Sequence, residues 1–250
     1  MTEPGLHFDR VADVYRHARP DYPAEVYELL AAHGVIGPGL RVLEIGAGSG
    51  QATAALLRHG CLVDAVEPGP ALADTLRRRF TEDRLTVLET TAEDADLAEA
   101  AYDSVVAATA LHWVDTPAVL PRLHAALRPG GRIGIWWAVF ADRGSRTPFR
   151  HRMDEIASRH GMSDDSVPRP LRIEERVAEL EAGGWFGDVE AHVLRWSHEM
   201  TPAAVRALFT TFPTWGGDPA LLDEVEAAAR SCGDTVVEDY LCAVYVGRRL

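Results

Sequence analysis

The sequence is short of positive charge. Its 250 residues carry 25 basic and 38 acidic side chains, a formal net charge of −13. Every basic residue is arginine; lysine is absent. Nucleic-acid affinity comes mainly from neutralising phosphates with basic side chains, so an acidic chain without a basic run excludes DNA, RNA and anionic membranes as expected partners. The all-arginine usage, with abundant alanine, marks a GC-rich genome and carries no message about chemistry. Cysteine is also scarce. Cys61, Cys232 and Cys242 are odd in number and no pair has C-x-x-C spacing, which argues against a disulfide framework and a zinc site and leaves buried, inert thiols. No apolar stretch is long enough to span a bilayer. The segment Met1-Thr-Glu-Pro-Gly5 lacks the basic-then-apolar layout of a signal peptide, so a cytoplasmic location is the expectation. Internal repeats, low-complexity tracts, Ser-His-Asp patterns and metal-ligand spacings are missing too, and no metal is expected.

What is present suits one globular unit. Hydrophobic residues make up 47% and charged residues 25%, and the length supports a single large α/β domain with a sizeable core. Helical spacing covers Phe8–Tyr15 and Pro23–His33, the second with Ala24, Tyr27, Leu30 and Ala31 on one face and Pro23 suited to a first turn. From residue 41 the elements alternate. Strands are expected at Arg41–Ile45, Leu62–Val66, Leu85–Leu88, Tyr102–Ala107 and Arg132–Trp137, with helices at Gln51–His59, Pro70–Phe80 and Pro117–Leu127. That order predicts a parallel sheet wound on both faces. After Phe140 the rhythm changes, with helices expected over Thr147–His160, Ile173–Ala182, Thr201–Phe212 and Leu221–Ala229 and strands over Asp188–Trp196 and Thr235–Gly247. The expected organisation of residues 1–250 is an N-terminal lid (1–36), a ligand-binding core (37–140), an inserted helical lid (141–187) and C-terminal strands and helices (188–250).

The most informative segment is Arg41-Val-Leu-Glu-Ile-Gly-Ala-Gly-Ser-Gly50, followed by Leu62-Val-Asp-Ala-Val-Glu-Pro68. A buried strand, a glycine-rich turn, a helix and a second strand ending on a carboxylate hold a nucleoside-like ligand over the ends of parallel strands. A dinucleotide fingerprint would run Gly-x-Gly-x-x-Gly. Here Gly46, Gly48 and Gly50 run Gly-x-Gly-x-Gly, Gln51 follows, and Glu44 stands two residues before the first glycine. Glu67 comes about twenty residues after the first glycines, where a carboxylate can accept hydrogen bonds from both ribose hydroxyls.

This acidic-Gly-x-Gly-x-Gly pattern resembles motif I of the class I S-adenosylmethionine (SAM)-dependent methyltransferases. The likeness extends through the Phe8–Pro23 segment, Ala110-Leu-His-Trp-Val-Asp115, Leu127-Arg-Pro-Gly-Gly131 and Tyr240–Arg249. Over its whole length the chain is similar to small-molecule methyltransferases of the methyltransferase domain 11 group near trans-aconitate methyltransferase. The resemblance implies a doubly wound, mostly parallel seven-stranded sheet of Rossmann-like type, and SAM as cofactor. It also implies roles for particular residues. The backbone of Gly46, Ala47, Gly48 and Gly50 approaches the methionine half of SAM, and Glu44 is counted with them among the cofactor-binding residues. Glu67 and Pro68 meet the ribose. Glu93, beside Ala92, accepts the adenine amino group. Thr109 and Ala110 flank the methionine half, and Leu111 and Trp113 cover adenine or line the substrate side. Tyr15 packs on the sulfonium or methyl group, and Arg19 pairs with the SAM carboxylate.

The sulfonium methyl carbon is already electrophilic, so the protein need only align a nucleophile, exclude water and, for a phenol or alcohol, remove a proton. His7, His17, His112 and His151 are the candidate bases, and His112, at a strand's carboxyl end, is the choice; Tyr15 is the second catalytic candidate. Trp136, Trp137 and Phe140 lead from the fifth strand into the crevice, and Phe209, Phe212 and Trp215 can complete an aromatic wall around the substrate, as can Trp113. Arg143, Arg146, Arg150 and Arg152 read as a solvated helix face. The expected reaction is methyl transfer to an oxygen, less readily a nitrogen or carbon, of a small metabolite. The alternative is a SAM-using enzyme of the same fold that methylates no acceptor, by cyclising or cleaving SAM or keeping it as a structural cofactor. A monomer or homodimer is expected.

Overall fold

The computed structural model describes residues 18–81, 83–164, 166–212 and 214–250. The expected helix over Phe8–Tyr15, and with it Tyr15 itself, lies outside them. Helix α1 (Ala24–Ala32) starts directly behind Pro23 and buries Val26, Tyr27 and Leu30. Strand β1 (Arg41–Ile45), helix α2 (Gln51–Arg58), strand β2 (Leu62–Val66), helix α3 (Pro70–Arg79), strand β3 (Leu85–Leu88), strand β4 (Tyr102–Ala108), helix α4 (Thr116–Ala126) and strand β5 (Leu127–Val139) then alternate. Beyond them come α5 (Pro148–Arg159), α6 (Ile173–Glu181), β6 (Phe186–Met200), α7 (Pro202–Thr210), α8 (Pro219–Cys232) and β7 (Val236–Arg249). Side-chain caps start the later helices: the Thr147 hydroxyl accepts from Arg150 N–H, the Thr201 hydroxyl from Ala204 N–H, and the Asp218 carboxylate from Ala220 N–H.

One sheet of seven strands organises the chain, in the order β3-β2-β1-β4-β5-β7-β6. The pairs from β3 to β5 are parallel, and β7 runs antiparallel to both β5 and β6. Helices cover both faces, which is why β1 and β2 are buried at every position but the first. On one face Leu43, Ile45, Val105, Ile133, Ile135 and Trp137 meet α4 and α6 through Leu123 and Leu180. On the other, Val42, Val63, Val106 and Trp136 meet α1 and α2 through Leu30 and Leu56. A third apolar cluster joins α5, α7 and α8 through Phe149, Met153, Leu208 and Val225 and rests on Met200 and Tyr240 at the ends of β6 and β7.

The later strands are longer than expected. β5 begins at Leu127, and Arg128-Pro-Gly-Gly131 forms an irregularity in its pairing, opposite the Tyr102/Ser104 step of β4. β6 and β7 form a ribbon paired from Phe186↔Arg249 to Met200↔Val236. Along β6 burial alternates because one face meets solvent, so the strand has no continuous apolar run to mark its ends. Among the described residues no helix is long and apolar enough to cross a membrane.

Candidate active site

The carboxyl end of β1 runs into the glycine turn. Gly46, Gly48 and Gly50 all hold positive φ, +66°, +57° and +85°, a region open to glycine at little cost. Two of them are also fixed by packing. A Cβ on Gly46 would lie 2.6 Å from the Ala110 methyl, and one on Gly50 would lie 2.6 Å from the Phe80 ring and 2.8 Å from Leu76. A Cβ on Gly48 would meet nothing within 4 Å. The turn is tied to β2 by Gly46 N–H and Ala47 N–H, which donate to Val66 O at 2.9 and 3.2 Å. Glu67, buried at the end of β2, completes the tie: its Oε2 accepts from Gly48 N–H at 2.8 Å and its Oε1 from Gly69 N–H at 2.9 Å.

Glu44 lies under this turn. It is 1% exposed, accepts from the Thr53 hydroxyl at 2.7 Å through Oε2, and leaves Oε1 buried without a hydrogen-bond partner among the described residues. Burial pushes its pKa up to about 8; the Thr53 bond opposes this and the nearby Glu67 charge adds to it.

The carboxyl end of β4 is strained. Thr109 has φ +53°, costly for a β-branched residue. It is held there by its N–H donating to Trp136 O at 2.7 Å and by a 2.7 Å bond between its hydroxyl and that of Tyr22. Leu111–Trp113 then form a single 3-10 turn. The indole N–H of Trp137 donates to His112 Nδ1 at 3.1 Å. An indole can only donate, so Nδ1 is unprotonated and the ring proton sits on Nε2. Desolvation, and then the Arg169 charge, lower the His112 pKa to about 4, although the residue as a whole is exposed. Glu93 Oε1 accepts from Asp115 N–H at 2.8 Å.

Two cavities open on these strand ends. The first, about 440 Å³, is lined by Gly46, Ala47, Gly48, Ser49, Gln51, Glu67, Pro68, Thr91, Ala92, Glu93, Ala110 and Tyr22, among others. The second, about 390 Å³, is lined by Leu111, His112, Trp137, Arg169, Arg176, Glu179, Thr211 and Phe212, among others. Arg19, Thr109, Trp113, Ala138 and Phe140 line both. Arg19 lies between the Phe140 and Phe212 rings, 4.5 and 4.4 Å from their centroids, and its Nε donates to the Thr211 hydroxyl at 2.9 Å.

Comparison with known proteins decides what kind of molecule this is. Residues 43–135 match the methyltransferase domain family. An uncharacterized methyltransferase of Mycobacterium bovis is 34% identical over 200 residues, 80% of this chain and 74% of that protein. The chain belongs to the class I SAM-dependent methyltransferases. The solved structure of a candidate type II methyltransferase from Anaeromyxobacter dehalogenans superposes with a TM-score of 0.68 at 24% identity, covering 92% of this chain and 97% of that one. A Haemonchus contortus phosphoethanolamine N-methyltransferase, solved with phosphomonomethylethanolamine and S-adenosylhomocysteine, superposes with a TM-score of 0.56 at 18% identity, over 98% of this chain and 58% of that one. The seven-stranded, mostly parallel sheet is the Rossmann-like methyltransferase fold, and SAM is the cofactor.

In this methyltransferase most of the residues singled out from sequence converge on the cavities, and several do not. Glu44 and Gly50 line neither: the first is buried under the turn and the second seats α2 against Phe80 and Leu76. Leu111, expected to cover adenine or to line the substrate side, lines the second cavity and not the first. Trp136, expected at the substrate, is fully buried on the α1 face, 5.8 Å from the Tyr22 ring and 6.1 Å from that of Tyr27. Trp215 stacks edge-on to Phe209 at 5.0 Å and reaches neither cavity. The expected base, His112, receives a hydrogen bond on the nitrogen that would have to take a proton. None of Arg143, Arg146, Arg150 and Arg152 lines a cavity; Arg150 pairs with the buried Glu238 at 3.5 Å. Sequence reasoning missed Tyr22, Arg169, Arg176 and Glu179. Tyr22 was within reach, being part of the segment that carries the family resemblance. The other three carry no signal, because a polar loop and a short helix bring them in from far along the chain. Away from both cavities, His33 and His192 approach Glu190 at 3.5 and 3.8 Å, a grouping no sequence spacing announces.

Proposed function

We propose that the first cavity takes SAM and that the second takes its acceptor, a small metabolite methylated on oxygen. The observation that carries this reading is the common wall. Arg19, Thr109, Trp113, Ala138 and Phe140 border both spaces, so a ligand filling one meets a ligand filling the other there. The first cavity fits the cofactor. At Gly48 even a methyl side chain would project into open space that the ligand needs, and Glu67 stands at the same end of the sheet, bonded to that glycine.

SAM supplies a methyl carbon made electrophilic by its positively charged sulfur. The chain's own residues position and exclude. Glu67 receives the ribose hydroxyls, Ala92, Glu93 and Pro68 border the adenosine, and Gly46, Ala47, Thr109 and Ala110 offer backbone to the methionine half, with Arg19 for its carboxylate. Glu44 acts from below, by holding Thr53 and the start of α2. Trp113, Trp137, Phe140 and Phe212 shut water out of the acceptor side. His112, with its proton on Nε2, donates a hydrogen bond to the acceptor rather than removing its proton. An excess of arginines around the second cavity disfavours a protonated amine and supports oxygen as the methylated atom. The described parts of the N-terminal segment up to residue 36 and of residues 141–187 are proposed to cover the site, since Arg19, Tyr22, Arg169 and Arg176 reach the cavities from them.

The test is calorimetric titration with S-adenosylhomocysteine. Glu67→Ala is expected to weaken binding by about 1.5–3 kcal/mol, the scale of hydrogen bonds to a charged group. Unchanged affinity would take Glu67 out of the site, and absence of saturable binding to the unaltered protein would defeat the reading as a whole.

A further inference from the structure

The second cavity runs against the charge of the molecule. The chain carries a net −13, yet the cavity's charged lining is Arg19, Arg169, Arg176 and Glu179, three arginines against one glutamate. Glu179 is shared: its Oε1 accepts from Arg169 at 3.1 Å and its Oε2 from Arg176 Nη1. It therefore offsets one guanidinium and leaves the other uncompensated. Arg176 is the unusual member. Its side chain is only 10% exposed, and its Nε lies buried with no hydrogen-bond partner among the described residues. A buried guanidinium N–H without an acceptor is costly, and Arg176 lines this cavity, so the residue carries donor capacity that the described residues leave unfilled. The same cavity presents a second directed donor, because the bond from Trp137 fixes the proton of His112 on Nε2. Leu111, Trp137 and Phe212 supply apolar wall beside Thr109, Thr116 and Thr211, and that apolar part strengthens any ionic contact formed there.

We propose that the acceptor is anchored in this cavity by a carboxylate, held by Arg176 and Arg169 with His112 Nε2–H as a further donor. The proposal rests on the reading of the second cavity as the acceptor side. A planar guanidinium edge matches the two oxygens of a carboxylate, and the apolar wall takes the hydrocarbon part of the same molecule.

The test uses the full chain loaded with S-adenosylhomocysteine and calorimetry with aromatic and aliphatic monocarboxylates, each paired with its isosteric neutral amide, and with phenyl phosphate. At least one acid should bind about tenfold or more tightly than its amide, as a charge-assisted pair requires. Arg176→Gln should abolish that preference while leaving S-adenosylhomocysteine affinity unchanged, because Arg176 does not line the first cavity. Arg169→Gln, at a side chain 54% exposed and so tolerant of change, should reduce the preference and guards against a folding defect in the first variant. Acids binding no better than amides in every pair overturn the proposal, as does a preference for the phosphate. Both outcomes leave the cofactor site standing, whereas failure of the unaltered protein to bind S-adenosylhomocysteine would instead defeat the reading beneath it.

Discussion

Glu44 and Glu67 sit at the carboxyl ends of paired parallel strands and show how differently one residue type behaves under different partners. Glu67 accepts two backbone N–H groups. Glu44 has one hydroxyl and an unmatched oxygen, and is uncharged at neutral pH, with its pKa near 8. The folded state therefore binds more protons at Glu44 than the unfolded chain between the ordinary value of 4.5 and about 8. Its contribution to stability is full below that window and is lost as pH rises through it. Glu44→Gln, which keeps the neutral shape, should flatten this dependence. By urea unfolding at pH 5 and pH 8 the unaltered protein should lose about 1 kcal/mol or more relative to the variant, at about 1.4 kcal/mol per pKa unit. His112 works in the opposite sense. Lowered to about 4, it stays neutral in the fold where the unfolded chain charges, so its contribution falls as pH drops from 6.5 towards 4. Nitrogen NMR at pH 6 should find Nδ1 unprotonated, and Trp137→Phe, which removes the donor, should let the tautomers mix.

At the scale of elements, the glycine turn separates stability from binding. Gly50→Ala would force φ +85° on a residue with a Cβ and drive that atom into Phe80 and Leu76. The left-handed penalty and the overpacking together predict a loss of about 2–4 kcal/mol in urea unfolding. Gly48→Ala meets no such contact, so it should lose only the backbone part, about 1–2 kcal/mol, while weakening S-adenosylhomocysteine binding. Strands β1, β2 and β3 were legible to the residue, because each is a short apolar-rich run punctuated by turns; β1 and β2 are covered on both faces, whereas β3, at the sheet edge, is half-buried. The Gly46–Gly50 turn and Glu67 were legible because spacing alone places them at one sheet edge. Trp136 and Trp137 were not separable: neighbours in a strand point to opposite faces, and only the assembled layers reveal which face borders the cavity. Arg169 and Arg176 could not be foreseen, since their meeting with His112 depends on how α6 docks under the sheet.

For the whole molecule, the order of the last strands was the least legible feature. Nothing in the residues of β7 announces that it inserts antiparallel between β5 and β6, and β6 and β7 overran their expected limits because pairing with each other, rather than apolar character, sets their length. The helices α5, α7 and α8 share one apolar cluster although α7 and α8 follow β6 in the chain, so the covering layer draws on two separate insertions. The cofactor site ties these parts to the stability of the chain. At a hundred times its dissociation constant, S-adenosylhomocysteine should stabilise the fold by about 2.7 kcal/mol, which for a chain of 250 residues is a rise in melting temperature of about 5–10 °C by calorimetric scanning.

The bonds from Gly48 N–H and Gly69 N–H hold both carboxylate oxygens of Glu67 from within the chain. On the proposed reading of the first cavity, what Glu67 offers the adenosine end is the same for spent and for fresh cofactor, which differ only at the sulfur. An enzyme built this way meets its exhausted cofactor with undiminished hospitality, and sustained turnover depends on something else in the cell clearing that by-product away.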